Sequence, residues 1–230
     1  MSTQPVTIAI DGPSGSGKSS VSRAVARRLG LRYLDTGAMY RALAWHCLDR
    51  GIDLTDLEAV ARASETFDLR MGTDPDHPTV HVGDVDVAEA IRSTEVSGVV
   101  SQVATNLGVR ANMRERQRAI IEQARAEGPG IVVEGRDITT VVAPDAEYRI
   151  LLTASEEARL ARRARELFDS DDAAAIAATH DHVVRRDRQD ATVSAFFEPA
   201  DGVVGIDTSS LTFSEAVAAV LDTVAPVEAP

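Results

Sequence analysis

Lysine is the scarcest charged residue in this sequence. The chain has 24 basic residues among 230, and all but Lys18 are arginine, so 23 are arginine. A GTPase usually reads guanine with an Asn-Lys-x-Asp motif that follows its phosphate-binding loop. No second lysine is present to build that motif, so the composition excludes a GTPase of the usual kind.

Cysteine and long apolar runs are also scarce. Cys47 is the single cysteine, which excludes an internal disulfide and fits a reducing compartment. No apolar run approaches the ~18 residues of a membrane span. Residues 1–5 contain no basic segment of the kind that begins a signal peptide. We therefore expect a cytoplasmic protein without membrane association.

Positive charge is scarce relative to negative charge, and the net charge is −12. This balance argues against binding to nucleic acid, which requires an excess of basic side chains. The arginines are nevertheless clustered, as small anionic ligands would require. For most of them, exposed helix faces paired with nearby acidic residues are the better interpretation.

The strongest signal in the chain is a phosphate-binding loop. Residues 6–10 form an apolar run, the spacing G-x-x-x-x-G-K-S follows, and a helical pattern begins near Lys18. In such a loop, backbone N–H groups and a helix N-terminus surround a polyphosphate, the lysine reaches the β- and γ-phosphates, and Ser19 ligates Mg²⁺. The predicted ATP-binding residues are Gly12, Pro13, Ser14, Gly15, Ser16, Gly17, Lys18, Ser19 and Ser20.

Apolar segments alternate with helical patterns along most of the chain. Five short strands are predicted, near residues 6–10, 31–34, 131–133, 148–152 and 203–206. This alternation indicates an α/β fold with a doubly wound, five-stranded parallel sheet, whose ligands bind at the carboxyl ends of the strands. Between residues 67 and 87 the pattern changes to short alternating runs, which predict a small antiparallel insert.

Helix starts are predicted from capping residues. Thr55-x-x-Glu58 and Thr212-x-x-Glu215 are capping-box patterns. Asp35 and Thr36 are alternative N-caps for the helix that follows the second strand.

Several further motifs follow the loop in a characteristic order. They include Leu34-Asp35-Thr36-Gly37-Ala38-Met39-Tyr40-Arg41, Val100-Ser101-Gln102-Val103-Ala104, Val133-Glu134-Gly135-Arg136-Asp137, Arg186-Asp187 and Asp207-Thr208-Ser209. With these motifs the chain resembles the bacterial cytidylate kinases, which are nucleoside monophosphate kinases of the P-loop class. The resemblance implies transfer of the γ-phosphoryl group of ATP to CMP or dCMP, giving CDP or dCDP and ADP.

The resemblance also implies a division into three parts. The P-loop kinase core would comprise residues 1–62, 128–154 and 195–230. Residues 63–127 would form a monophosphate-binding insert with antiparallel strands and helices, and residues 155–194 a helical lid. The implied partners are ATP and CMP or dCMP, bound by a monomer.

The resemblance assigns a role to individual residues of the acceptor site. Ser101 and Asp137 would meet the cytosine amino group, and Arg110 would meet N3 and O2. Arg41 and Arg136 would clamp the CMP phosphate, with Thr36 beside them, because guanidinium groups match phosphate oxygens. Arg186 and Asp190 would hold the sugar. The complete predicted CMP-binding set is Thr36, Arg41, Ser101, Arg110, Arg136, Asp137, Arg186 and Asp190.

The predicted catalytic residues are Lys18, Arg136, Arg159 and Arg163. Arg159 and Arg163 lie four residues apart on one helix and could face the ATP phosphates together. Mg²⁺ is the implied cofactor, bound with the nucleotide by Ser19. For Glu134, contact with Mg²⁺ through water and a purely structural role remain open alternatives.

Two positions depart from the family pattern. Many members have an arginine where this chain has Val193, and Arg185 or Arg188 could substitute for it. Thr139 stands where the family usually has glycine, which matters if the turn needs a positive φ. Two other functions stay open: a P-loop kinase for another small acceptor, such as UMP or a non-nucleotide metabolite, and a non-catalytic nucleotide-binding protein.

Overall fold

A computed structural model describes residues 4–224, apart from the side chains of Asp181, His182 and Arg186. Its centre is a parallel sheet in the order β2-β6-β1-β7-β8. The five strands are β1 (Val6–Asp11), β2 (Arg32–Asp35), β6 (Gly130–Gly135), β7 (Tyr148–Thr153) and β8 (Val204–Asp207). The fold is therefore the predicted doubly wound α/β sheet.

Helices cover both faces of this sheet because successive strand residues point to opposite sides. Ile8, Ile10 and Val132 pack with α1 (Lys18–Leu29) and α8 (Phe213–Thr223) in one apolar core. Ala9, Leu34, Ile131 and Val133 belong to a second core, which includes α2 (Thr36–Asp49) and α5 (Leu107–Glu127). Burial on both faces explains why the central strands read as continuous apolar runs.

The insert follows α2. Its predicted first residue, 63, falls within α3 (Leu57–Thr66), and it contains an antiparallel sheet of β3 (Leu69–Met71), β4 (Val80–Val82) and β5 (Val85–Asp86), followed by α4 (Thr94–Ala104) and α5. Val80, Val82 and Val87 are buried in the same core as α2, so the small sheet packs against the main body. This confirms the predicted antiparallel segment.

Two helices, α6 (Glu156–Phe168) and α7 (Ala173–Asp190), pack against each other and form what we call the α6–α7 hairpin. Asp187, near the end of α7, reaches the P-loop and accepts a hydrogen bond from the Ser14 backbone N–H at 3.2 Å. Within residues 4–224, none of the helices combines the length and the apolar character that a membrane span requires.

One predicted helix start is wrong. Asp56, rather than Thr55, caps α3, and its carboxylate accepts from the Ala59 N–H at 2.9 Å. The Thr55 hydroxyl instead donates a hydrogen bond to the Asp53 carboxylate at 2.8 Å. Aspartate caps a helix as well as threonine does, so Asp56 is the N-cap of α3 in place of Thr55. The Thr212 capping box is confirmed, and Asp35 is the N-cap of α2.

Candidate active site

The P-loop joins β1 to α1 through three glycines. Gly15 and Gly17 have φ angles of +79° and +88°, where side chains are strained. A Cβ on Gly15 would lie 2.6 Å from the carbonyl oxygen of Arg159, so α6 approaches the loop backbone closely. Lys18 begins α1, and its Nζ donates to the Pro13 carbonyl at 3.4 Å. The lysine therefore lies across the loop.

One cavity beside the loop brings most of the predicted residues together. Its lining contains predicted residues from the P-loop, the segment from β2 to α2, the end of β6, and helices α5 and α7. They are Lys18, Ser19, Thr36, Arg41, Arg110, Glu134, Arg136, Asp137 and Asp190. The carboxyl ends of the parallel strands thus form the candidate site, as expected of this fold.

Glu134, at the end of β6, lies behind the P-loop. Its carboxylate accepts from the Ser19 hydroxyl at 2.9 Å and from the Tyr33 hydroxyl at 2.7 Å. Burial and the charge of Asp35 raise the pKa of Glu134, against the opposing effect of Lys18. Ser19 and Glu134 together offer oxygen atoms next to a phosphate-binding loop. Magnesium prefers such donors, so these residues fit a nucleotide-bound Mg²⁺.

Arg41 lies on α2 and pairs with the helix's own N-cap. Its Nη2 donates to the Asp35 carboxylate at 2.8 Å. Burial opposes ionisation of Asp35, but Arg41 and the Ala38 N–H outweigh burial, and its pKa is lowered. The Arg41 Nε is buried and has no hydrogen-bond partner among the described residues. A buried, unsatisfied guanidinium donor in a cavity is suited to binding an anion.

At the insert side of the cavity, Arg110 and Asp137 form an ion pair. Arg110 Nη2 donates to the Asp137 carboxylate at 2.6 Å and to the Ser194 hydroxyl at 2.9 Å, and Nη1 donates to the Ala104 carbonyl at 3.2 Å. Burial raises the pKa of Asp137, although Arg110 opposes that rise. The pair presents an acceptor and a donor side by side within the cavity.

At the P-loop side, Arg136 and Arg159 converge on Asp187 of α7. Arg136 Nη1 donates to Asp187 at 2.8 Å and lies 3.0 Å from the Asp190 carboxylate. Arg159 Nη1 donates to the other Asp187 oxygen and, at 3.0 Å, to the Ser14 carbonyl. The Arg136 guanidinium also lies over the Phe196 ring, 4.6 Å from its centre.

Some predicted residues lie elsewhere. Arg163 pairs with Glu166 on its own helix at 2.7 Å. Arg162, which was not predicted, contacts the P-loop region instead and donates to the Thr208 hydroxyl at 3.0 Å. Ser101 is buried on α4 but does not line the cavity, and Ser20 is exposed. The Arg186 side chain lies outside the described residues.

The two family departures can also be placed. Among described residues, Asp169 is the only non-glycine with positive φ, so Thr139 needs no glycine-like backbone. The Thr139 hydroxyl donates to the Asp11 carboxylate at 2.7 Å.

The second departure is Val193, which is partly buried, and Arg185 and Arg188 are exposed on α7. Neither arginine is in the lining of the described cavity.

Sequence reasoning missed Asp11, the last residue of β1. Its carboxylate accepts from the Ile138 N–H at 3.0 Å, the Thr139 N–H at 2.8 Å and the Thr139 hydroxyl. Burial raises its pKa to about 6, and these hydrogen bonds limit the rise. Asp11 thus ties the strand before the P-loop to the segment that carries Arg136 and Asp137. A charged residue ending an apolar strand was the available signal.

Comparisons with known proteins identify the family of this chain. A family model described as cytidylate kinase matches residues 8–226. A protein named cytidylate kinase from Streptomyces avermitilis is 46% identical to this chain, and the match covers 94% of this chain and 91% of the relative. A protein of the same name from Cutibacterium acnes is 47% identical, covering 97% of this chain and 98% of the relative. Another, from Rhodococcus opacus, is 47% identical, covering 96% of this chain and 95% of the relative. By sequence over nearly its whole length, the chain belongs to the cytidylate kinase family.

Proposed function

We propose that this protein transfers the γ-phosphoryl group of ATP to CMP or dCMP, giving ADP and CDP or dCDP. One observation carries the choice of acceptor: the partly buried Arg110–Asp137 pair lines the same cavity as the P-loop lysine. A P-loop accounts for the donor nucleotide. The acid–guanidinium pair provides groups that can read the edge of a base.

Cytosine matches this pair better than uracil does. Cytosine presents an amino donor at N4 beside acceptors at N3 and O2. Asp137 accepts from N4, and Arg110 donates to N3 and O2. Uracil would place its O4 against the Asp137 carboxylate, with two acceptors facing each other. An unsatisfied buried contact of this kind costs about 1–3 kcal/mol, or roughly 10- to 100-fold in discrimination.

The acceptor phosphate binds to guanidinium groups beside the P-loop. Arg41 supplies its unsatisfied Nε, and Arg136 extends from the segment after β6. Thr36 lines the same cavity, and its hydroxyl donates to the Glu134 carbonyl at 2.7 Å. Planar guanidinium groups hold phosphate oxygens through paired hydrogen bonds, and so they orient the attacking oxygen.

The reaction needs no general base, because the attacking phosphate oxygen is already ionised at neutral pH. Catalysis consists of aligning two anionic groups and stabilising the charge on the transferred phosphoryl group. Lys18, Arg136 and Arg159 supply positive charge around the P-loop. Ser19 would hold Mg²⁺, with Glu134 behind it, and the ion when bound neutralises phosphate charge.

The proposal also assigns roles to the insert and to the lid that the family resemblance implies. The insert at residues 63–127 binds the monophosphate, and residues 155–194 act as a lid that excludes water and limits ATP hydrolysis. We also propose a cytoplasmic monomer that binds ATP and CMP or dCMP rather than nucleic acid or membranes. The net charge of −12 and the single cysteine support this part.

A coupled assay of ADP formation tests the proposal, with ATP as donor and CMP, dCMP, UMP or AMP as acceptor. We expect efficient turnover with CMP or dCMP and a kcat/KM at least about tenfold lower with UMP. Equal efficiency with UMP would contradict the role of Asp137. Absence of turnover with CMP and dCMP, together with turnover of another acceptor, would replace the proposed substrate.

A further inference from the structure

Asp187 is an acidic side chain in surroundings that suit an anionic ligand. One carboxylate oxygen accepts from the Ser14 backbone N–H at 3.2 Å and from Arg136 at 2.8 Å. The other oxygen accepts from Arg159. The residue is only 3% exposed. The three donors come from the P-loop, the segment after β6 and α6, and they meet at this one carboxylate.

These donors are of the types that bind phosphoryl groups. P-loop amides and guanidinium groups are common phosphate ligands, and the proposed mechanism assigns Arg136 and Arg159 to the transferred group. Two guanidinium groups close together in a largely buried place repel each other. A negative charge between them offsets that repulsion, and the Asp190 carboxylate, 3.0 Å from Arg136, offsets only the Arg136 side of it.

We propose that Asp187 is an internal substitute for the transferred phosphoryl group. Its carboxylate occupies the position between Ser14, Arg136 and Arg159, and the phosphates of a bound nucleotide displace it. This inference rests on the proposed function, because that function places a phosphoryl group there. Asp187 itself touches no reacting atom and acts as a positioning residue.

Displacement has two physical consequences. First, an incoming polyphosphate competes with a tethered carboxylate, so its apparent affinity is lower than the affinity of the vacated donors. Second, α7 loses its attachment to the P-loop and to Arg159 when an anion takes the donors. Asp187 therefore keeps the two arginines paired and in position until the phosphates arrive.

The first test is calorimetric titration of the full chain with inorganic tripolyphosphate. We compare the wild type, Asp187→Asn and the matched control Asp171→Asn, which removes the same charge from the hairpin. Asp171 pairs with Arg165 at 2.7 Å in an exposed position away from the P-loop. We expect Asp187→Asn to bind roughly tenfold more tightly and the control to change less than about twofold. Unchanged or weaker binding by Asp187→Asn would overturn the proposal, since a purely structural contact predicts that result.

The second test uses only the wild type, in case Asp187→Asn does not fold. Amide hydrogen exchange of residues 173–190 is followed with and without tripolyphosphate. We expect faster exchange in α7 when tripolyphosphate alone is bound, because Asp187 loses its contacts with the P-loop and Arg159 and no acceptor nucleotide is present for the lid to close on. Unchanged or slower exchange would overturn the proposal. Neither test involves CMP, so a failed CMP kinase assay and a failed anion test are distinguishable.

Discussion

The two ends of the candidate site hold their charges in different ways. At the base end, Arg110 and Asp137 neutralise each other within one pair, supported by Ser194 and the Ala104 carbonyl. At the phosphate end, positive groups from the core and α6 are neutralised by Asp187, a residue of the α6–α7 hairpin. The charges of the base end are balanced within its own pair. The phosphate end exchanges one anion for another.

This difference separates affinity for the acceptor from the rate of transfer. Changes at the base end should act on the KM for CMP and on the choice of acceptor. Changes at the phosphate end should act on kcat, because those donors gain strength as charge develops in the transition state.

The largest expected effect comes from Lys18→Met. Removing the ammonium group from the P-loop should lower kcat by about 10²–10³-fold, as losses of charge-stabilising donors do elsewhere. Lys18→Arg is the sharper companion, because a compact ammonium group and a planar guanidinium group bind phosphates differently. Steady-state kinetics and circular dichroism measure activity and folding. Full activity of Lys18→Arg would contradict the geometric role of the lysine.

Arg41→Gln tests which end Arg41 serves. Loss of its guanidinium should raise the KM for CMP about tenfold or more and change the KM for ATP little, because a charge-assisted contact to phosphate is lost. Arg92→Gln is the control: Arg92 also faces Asp35, at 3.9 Å, but is largely exposed. A larger effect on ATP than on CMP would remove Arg41 from the acceptor site.

A smaller effect, on stability, is expected from Thr139→Val. This variant tests the hydrogen bond by which Asp11 joins β1 to the segment that carries Arg136 and Asp137. Valine keeps the shape and removes the hydroxyl that donates to Asp11. We expect a loss of about 1–2 kcal/mol in the free energy of unfolding, measured with urea. Thr139→Ser, which keeps the donor, should lose less. Equal losses in both variants would assign the effect to packing instead.

A pH dependence of stability is also expected, from the carboxyl group of Asp11. Its pKa is raised by burial to about 6, so the folded protein binds this proton more tightly than the unfolded chain does. The stability contribution of Asp11 should therefore fall as pH rises from about 4 to 6 and stay low above that. Unfolding of the wild type and Asp11→Asn across this range isolates the contribution. The stability of the wild type relative to Asp11→Asn should fall across this range, and a wild type that instead gains stability relative to the variant as pH rises would contradict the assignment.

Local motifs predicted much of this molecule and left out the contacts made across it. The apolar strands and the P-loop could be predicted because residues next to one another in sequence determine them. Asp187 could not, since its meeting with Ser14 joins positions 173 residues apart. Arg162 and Arg163 are adjacent on α6, so their side chains point in different directions around the helix axis. Of the two, only Arg162 therefore reaches the P-loop region. The roles predicted for individual site residues remain predictions.

The most direct measurement compares Asp137→Asn with the wild type, as the ratio of kcat/KM for CMP to that for UMP. An amide in place of the carboxylate can donate to the uracil O4 as well as accept from the cytosine N4. We predict that the ratio falls at least about tenfold, with the KM for ATP unchanged. An unchanged ratio, or an equal loss of affinity for CMP and ATP, would contradict recognition of cytosine by the Arg110–Asp137 pair.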